Sequence, residues 1–158
     1  MRAVVLVQQL NHKDRVVAAQ IHAVLVLAYA QEALLLQVKH FAPLERTVED
    51  IQASTECFLG AFGGENLLGV LSFGPDDEPD QINIGLLVVH PKHQRQGIGR
   101  SLLAAALDRV SGTVFSVSTA AKNAPALALY GEFGFAVYRH GTIGPEALEL
   151  VKLRLGAP

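Results

Sequence analysis

Apolar residues along this chain follow two periods, and the switches between them outline its elements. Ala3 to Val7 is a short β-branched run and reads as a first strand. Asn11 suits an N-cap for the next segment, where Val17, Ile21, Val24, Leu25 and Ala28 recur at helical spacing. That helix should end between Tyr29 and Val38, and Pro43 would break any helix reaching it. Thr47-Val48-Glu49-Asp50 is a capping-box variant and predicts a short second helix. Glu56 to Phe62 and Leu67 to Phe73 flank Gly63-Gly64-Glu65-Asn66 and predict an antiparallel hairpin. After a polar loop over 75–80, Ile82 to Val89 loses its alternation towards the end, as a strand covered on both faces would. Ile98 to Val110 is helical, with Leu102, Leu103, Ala106 and Leu107 on one face, and Thr113 to Ser118 is β-branched. Pro125 suits the first turn of a further helix that Gly134 ends, and Phe135 to Arg139 and Ala147 to Leu155 supply two last strands. The order β-α-α-β-β-β-α-β-α-β-β predicts one α/β domain over residues 1–158. Its sheet should be mixed, mostly antiparallel, six to seven strands wide and flanked by helices.

Composition agrees with one domain. A chain of 158 residues buries roughly two-thirds of its unfolded surface, and 50% hydrophobic with 18% charged residues is a globular balance. A net charge of −2 argues against a nucleic-acid partner, which needs a clustered basic surplus. Cys57 is the sole cysteine, so no disulfide forms within the chain, and it reads as packing rather than as a nucleophile. The apolar run at residues 3–7 is too short for a signal-peptide core, and Ala23 to Ala30 is too short to span a bilayer. No membrane partner is expected, and the protein is expected to be soluble and cytoplasmic.

The segment richest in chemistry runs from Leu87 to Leu102: a buried strand, the loop His90-Pro91-Lys92-His93-Gln94-Arg95-Gln96-Gly97, and a helix opening at Ile98-Gly99-Arg100. Helix-opening amides lack intrahelical partners and sit at the positive end of the macrodipole. With glycines allowing close approach, this is an anion site suited to a pyrophosphate. Lys92, Arg95 and Arg100 add charge around it. No Walker string is present, and Leu102 breaks a GxGxxG fingerprint.

Gln94-x-x-Gly97-x-Gly99 instead resembles the Q/R-x-x-G-x-G/A signature of the GNAT superfamily of N-acetyltransferases. Asn123 to Phe135, with Leu129-Tyr130 and Gly134-Phe135, is similar to that superfamily's second landmark, and the likeness runs from residue 3 to residue 155. The resemblance implies a GNAT-like fold with splayed central strands and acetyl-CoA as co-substrate. The backbone of Leu87, Val88 and Val89 would pair with the pantetheine arm, with the Val89 amide facing the thioester oxygen. Amides of Gln94, Arg95, Gln96, Gly97, Ile98, Gly99 and Arg100 would hold the pyrophosphate. Asn123 would touch the pantetheine arm, cap a helix, or both. Tyr130 would protonate the departing thiolate. Gly85 marks either the bulge that opens the strands or a crowded position. Asn83 stands where many members have a glutamate base, so the base is unassigned among Asp80, Glu32, Glu45, Glu146 and His22. The segment Tyr29 to Arg46 would build the pocket for an amine acceptor, whose identity stays open; a homodimer is common in the family. A non-catalytic acetyl-CoA-binding module is the alternative.

His90 and His93 fall in the predicted phosphate loop without further ligands at a telling spacing, so no metal is expected. The acidic run Asp76 to Asp80 reads as a solvated turn.

Overall fold

A computed structural model describes residues 5–156. The strands are β1 (Leu6–Gln9), β2 (Cys57–Gly63), β3 (Asn66–Pro75), β4 (Gln81–Val89), β5 (Val114–Ala120), β6 (Ala136–Ile143) and β7 (Leu148–Leu155). Helices α1 (Arg15–Leu36), α2 (Val48–Ala53), α3 (Ile98–Arg109) and α4 (Ala124–Glu132) connect them, so the element order matches the expected one. The seven strands form one mixed sheet in the order β1-β2-β3-β4-β5-β7-β6, antiparallel except for β4–β5. Ala3 and Val4 of the expected first strand lie outside the described residues. The strand is set by pairing with β2, which begins at Leu6 opposite Phe62 and reaches Gln9 opposite Leu59.

Helix α1 begins later than the sequence suggests. Asp14 is its N-cap, with Oδ1 accepting the Val16 and Val17 amides at 2.8 and 3.3 Å, while Gln37 (φ 57°) ends it in a left-handed turn. By length and composition α1 is apolar enough to cross a membrane. That composition serves packing here: Ala18, Ile21, Val24, Leu25 and Ala28 are buried in a core with Phe58, Val70, Leu86 and Val88. The Thr47–Asp50 capping box is present in both directions. On the opposite face Ile98, Leu102 and Leu103 of α3 pack with Leu59, Leu71 and Ile84.

One irregularity in β4 opens the site. Ser72 faces Leu86 and Phe73 faces Ile84, so Gly85 is an extra residue bulged out of the ladder. Side-chain alternation slips there: Ile84 joins the α3 core, whereas Leu86 and Val88 join the α1 core. This slip is why the strand reads as non-alternating. A Cβ at Gly85 would lie 2.3 Å from Glu56 Oε2, so crowding and the bulge both act at this position.

The acidic turn is not simply solvated. Asp76, with a side chain 5% exposed, lies 2.9 Å from Lys152 Nζ, and Lys152 also reaches Glu78 at 2.8 Å. Burial alone would raise the Asp76 pKa. Bonds from Ser116, Lys152, Gln81 and the Asp77 amide outweigh it and bring the carboxyl down to about 2. A depressed carboxylate contributes stability above its ordinary pKa and loses it as pH falls towards the folded value. Between about pH 4 and pH 2 the fold should lose on the order of 2 kcal/mol through this group. Urea midpoints across that window should fall steeply in the wild type and less steeply in Asp76→Asn; equal slopes would reject the assignment.

Candidate active site

Strands β4 and β5 pair only from Gln81 opposite Val114 to Ile84 opposite Val117. Beyond the Gly85 bulge they separate, and β5 continues along β7 instead, with Ser118, Thr119 and Ala120 opposite Lys152, Val151 and Leu150. The gap is a cleft of about 260 Å³. Leu87 and Thr119 line its two sides, and Asn123 and Tyr130 approach from α4.

Ladder alternation decides which β4 amides face the gap. The His90 N–H donates to Leu68 O at 2.7 Å, so His90 is hydrogen-bonded to β3 and its neighbour Val89, opposite Gly69, is not. Leu87 and Val89 therefore turn their N–H groups towards the gap. Val88, opposite Val70, turns its own to β3. Of the three residues expected to pair with the arm, two turn their N–H groups to the gap.

The loop after β4 is tied down at several points. The Lys92 N–H donates to His90 Nδ1 at 3.1 Å, and Gln94 Nε2 donates to Gln31 Oε1 at 2.7 Å and to Val89 O at 3.4 Å. Arg95 (φ 62°) and Gly97 (φ 80°) turn left-handed ahead of α3; the second is a conformation that favours glycine. Gly97 caps α3 without a side chain, and the Ser101 N–H bonds back to Gly97 O. The amides of Ile98, Gly99 and Arg100 thus precede the first bonded turn. A Cβ on Gly99 would meet only Leu129 and Val89, at 3.4 and 3.7 Å, so packing does not demand a glycine there. The Arg100 side chain pairs with Glu132, and its guanidinium lies 5.7 Å from the Phe133 ring centre, so its charge turns to α4 rather than to the loop. Among the described residues no group of three His, Cys, Asp or Glu side chains is placed to hold a metal.

Helix α4 presents its two landmarks to one cleft. Asn123 caps it through Oδ1 to the Ala126 amide at 3.3 Å, while Nδ2 donates to Glu32 of α1, so both ends of this amide have partners. Tyr130 is 5% exposed, with its ring centre 5.6 Å from that of Phe135. Burial, and then the charge of Glu32, push its hydroxyl above the ordinary phenol range, which keeps it protonated at neutral pH.

Asn83 is not in the cleft; its Nδ2 donates to Ser116 Oγ at 3.0 Å. Of the five residues that could replace a strand carboxylate, Glu32 and Glu146 line the cleft. Glu146 Oε1 accepts the Lys39 and His40 amides, each at 2.9 Å, joining the β6–β7 turn to the segment after α1. Burial raises the Glu32 carboxyl above its usual range. The sequence held a signal for Glu32, since it continues the buried stripe Ile21, Leu25, Ala28 towards Leu36 at three- and four-residue steps. An acid on the inner face of a helix is seldom mere solubility. Nothing in the local pattern announced the β6–β7 turn as a wall.

Comparisons place this geometry among known proteins. The acetyltransferase (GNAT) family matches over residues 25–135. The UPF0157 protein YqkA of Bacillus subtilis is 37% identical over 131 residues, covering 82% of this chain but 38% of that protein, so the chain spans well under half of its relative. The ribosomal-protein-S18-alanine N-acetyltransferase of Escherichia coli superposes with a TM-score of 0.74 at 16% identity, covering 96% of this chain and 93% of that one. The PaiA N-acetyltransferase of Thermoplasma acidophilum, solved in complex with coenzyme A, gives 0.73 at 16% identity, over 94% and 98%. With the bulged and splayed β4, the glycine-capped α3 and a family match over most of its length, the chain belongs to the acetyltransferase (GNAT) family.

Proposed function

We propose that the protein transfers an acetyl group from acetyl-CoA to a primary amine by direct attack on the thioester. One juxtaposition carries this reading: Leu87 and Tyr130 line one cleft, the Val89 N–H turns the same way as that of Leu87, and Gly99 in the opening turn of α3 lies beside Val89. Together they fit acetyl-CoA. The α3 amides and those of the preceding loop would hold the pyrophosphate, and Leu87 and Val89 would pair with the arm as an added strand. The coenzyme A complex of the PaiA structure supports the same choice. When bound, acetyl-CoA supplies an activated acetyl carbonyl.

The protein's own groups then act in sequence. The Val89 N–H stabilises charge developing on the carbonyl oxygen. As the C–N bond forms and the C–S bond breaks, Tyr130 gives its proton to the leaving sulfur. The proton shed by the amine nitrogen replaces it, so the phenol ends as it began.

Acetyl-CoA at 100 times its Kd should raise the unfolding temperature by about 5–10 °C, with little shift from adenosine diphosphate. Tyr130→Phe should keep that shift and lose at least about tenfold in kcat. Unchanged turnover in the variant would remove Tyr130 from the role of acid. A cofactor shift without thiol release to any amine would instead favour a non-catalytic acetyl-CoA-binding module.

A further inference from the structure

The acceptor end of the cleft has a charge pattern that selects among amines. Its wall is apolar, formed by Tyr29, Phe41, Ile84, Ile143, Leu148 and Leu150, with the Tyr29 and Phe41 rings edge-on at 5.6 Å. Two carboxylates interrupt it. Glu146 is occupied by the Lys39 and His40 amides. Glu32 forms none of the ion pairs among the described residues and is held by Asn123 alone. A half-buried carboxylate without a cation, facing a cavity, is poised to receive one.

Building on the acetyltransferase reading, we infer that this cleft takes a small monoamine with an apolar body, whose ammonium is held and deprotonated by Glu32. The single uncompensated acid matches one positive charge. A second ammonium, as on a polyamine or an aminoglycoside, would be buried against the apolar wall, where the remaining carboxylate, Glu146, is already engaged by two amides and by the Lys39 charge. Size points the same way: the cleft of about 260 Å³ must hold the end of the pantetheine arm as well as the acceptor, and even whole it lies below the ~300–1,000 Å³ of drug-sized sites. The β6–β7 turn and the segment after α1 both line the cleft and are joined through Glu146, so this side of the cleft is bridged.

The proton step balances. Glu32 accepts one N–H proton from the ammonium and returns it to solvent; the amine keeps the lone pair that forms the C–N bond. Tyr29 and Tyr130 face Glu32 as neutral phenols, with Arg46 and Glu56 acting on Tyr29 from behind and His40 on the cleft's outer wall. Glu32 must be ionised to act, so the acid limb of the pH–rate profile belongs to it.

Thiol release should be measured with acetyl-CoA-saturated wild type and Glu32→Gln, using 2-phenylethylamine and 3-methylbutylamine against spermidine, kanamycin and an alanine-initiated hexapeptide. The monoamines should exceed the others by at least about tenfold in kcat/KM. Glutamine keeps an oxygen for Asn123, so the variant should retain its acetyl-CoA thermal shift while losing about 100-fold in kcat/KM at neutral pH. That loss should shrink as pH rises towards the pKa of the free amine. A variant within twofold of wild type at neutral pH, or a preference for a polycation or the peptide, overturns the inference while leaving the acetyltransferase reading intact. Absence of an acetyl-CoA thermal shift in the wild type overturns both.

Discussion

Proline in place of Val89 should lower kcat about 10²–10³-fold, the loss typical of removing one oxyanion donor. The substitution is selective because of where Val89 sits. It lies opposite Gly69 at a position that makes no ladder bond to β3, so proline deletes a donor the sheet does not use. The preceding Val88 is already extended, as a residue before proline must be. Val89→Ala, which keeps the amide, should remain close to wild type. Far-UV circular dichroism and the acetyl-CoA thermal shift report whether the strand survives. Turnover within threefold of wild type, with the shift intact, would show that another donor faces the thioester oxygen.

The largest expected loss of stability is at Phe58. Its side chain is fully buried beneath α1, with its ring centre 4.5 Å from that of His12 and 5.6 Å from the Arg46 guanidinium. Phe58→Ala should cost about 3–5 kcal/mol, which for a chain of 158 residues lowers Tm by roughly 6–20 °C. The effect should also reach the chemistry, because the same core seats the helix that carries Tyr29 and Glu32. Urea unfolding supplies the number; a loss under about 2 kcal/mol would mean that α1 settles into the vacated volume.

What could be read from the sequence was local. The Thr47–Asp50 box, the α3 stripe and the hairpin around Gly64 each rest on residues a few positions apart, and each is present. Gly85 was half legible: the alternation visibly failed, but only pairing with Ser72 and Phe73 shows a bulge. Distant partners defeated the rest. Glu32 acquires its meaning from Asn123, 91 residues away. The acidic turn looked solvated because Lys152, which pairs with Asp76, is 76 residues further on. Asp14 displaced Asn11 as a cap for a smaller reason: both are good caps, and the position of the first core residue on the helix chooses between them.

The sheet order sets a timetable for synthesis. β7 lies between β5 and β6, so the far wall of the cleft has no inner strand until residues up to Leu155 have been made. The near half, β1 to β4, pairs within itself except where Gln81 to Ile84 meet β5, and is complete at Val89. At ~5–20 residues per second, the 66 positions from Val89 to Leu155 take roughly 3–13 s to translate. For that interval the completed wall opposite Leu87 and Val89 is missing, and the backbone groups that would receive the coenzyme are free to pair with any passing strand. The groups that would hold the ligand in the finished protein are thus its main aggregation hazard on the ribosome, and α3, which follows β4 directly, is the first element able to shield them.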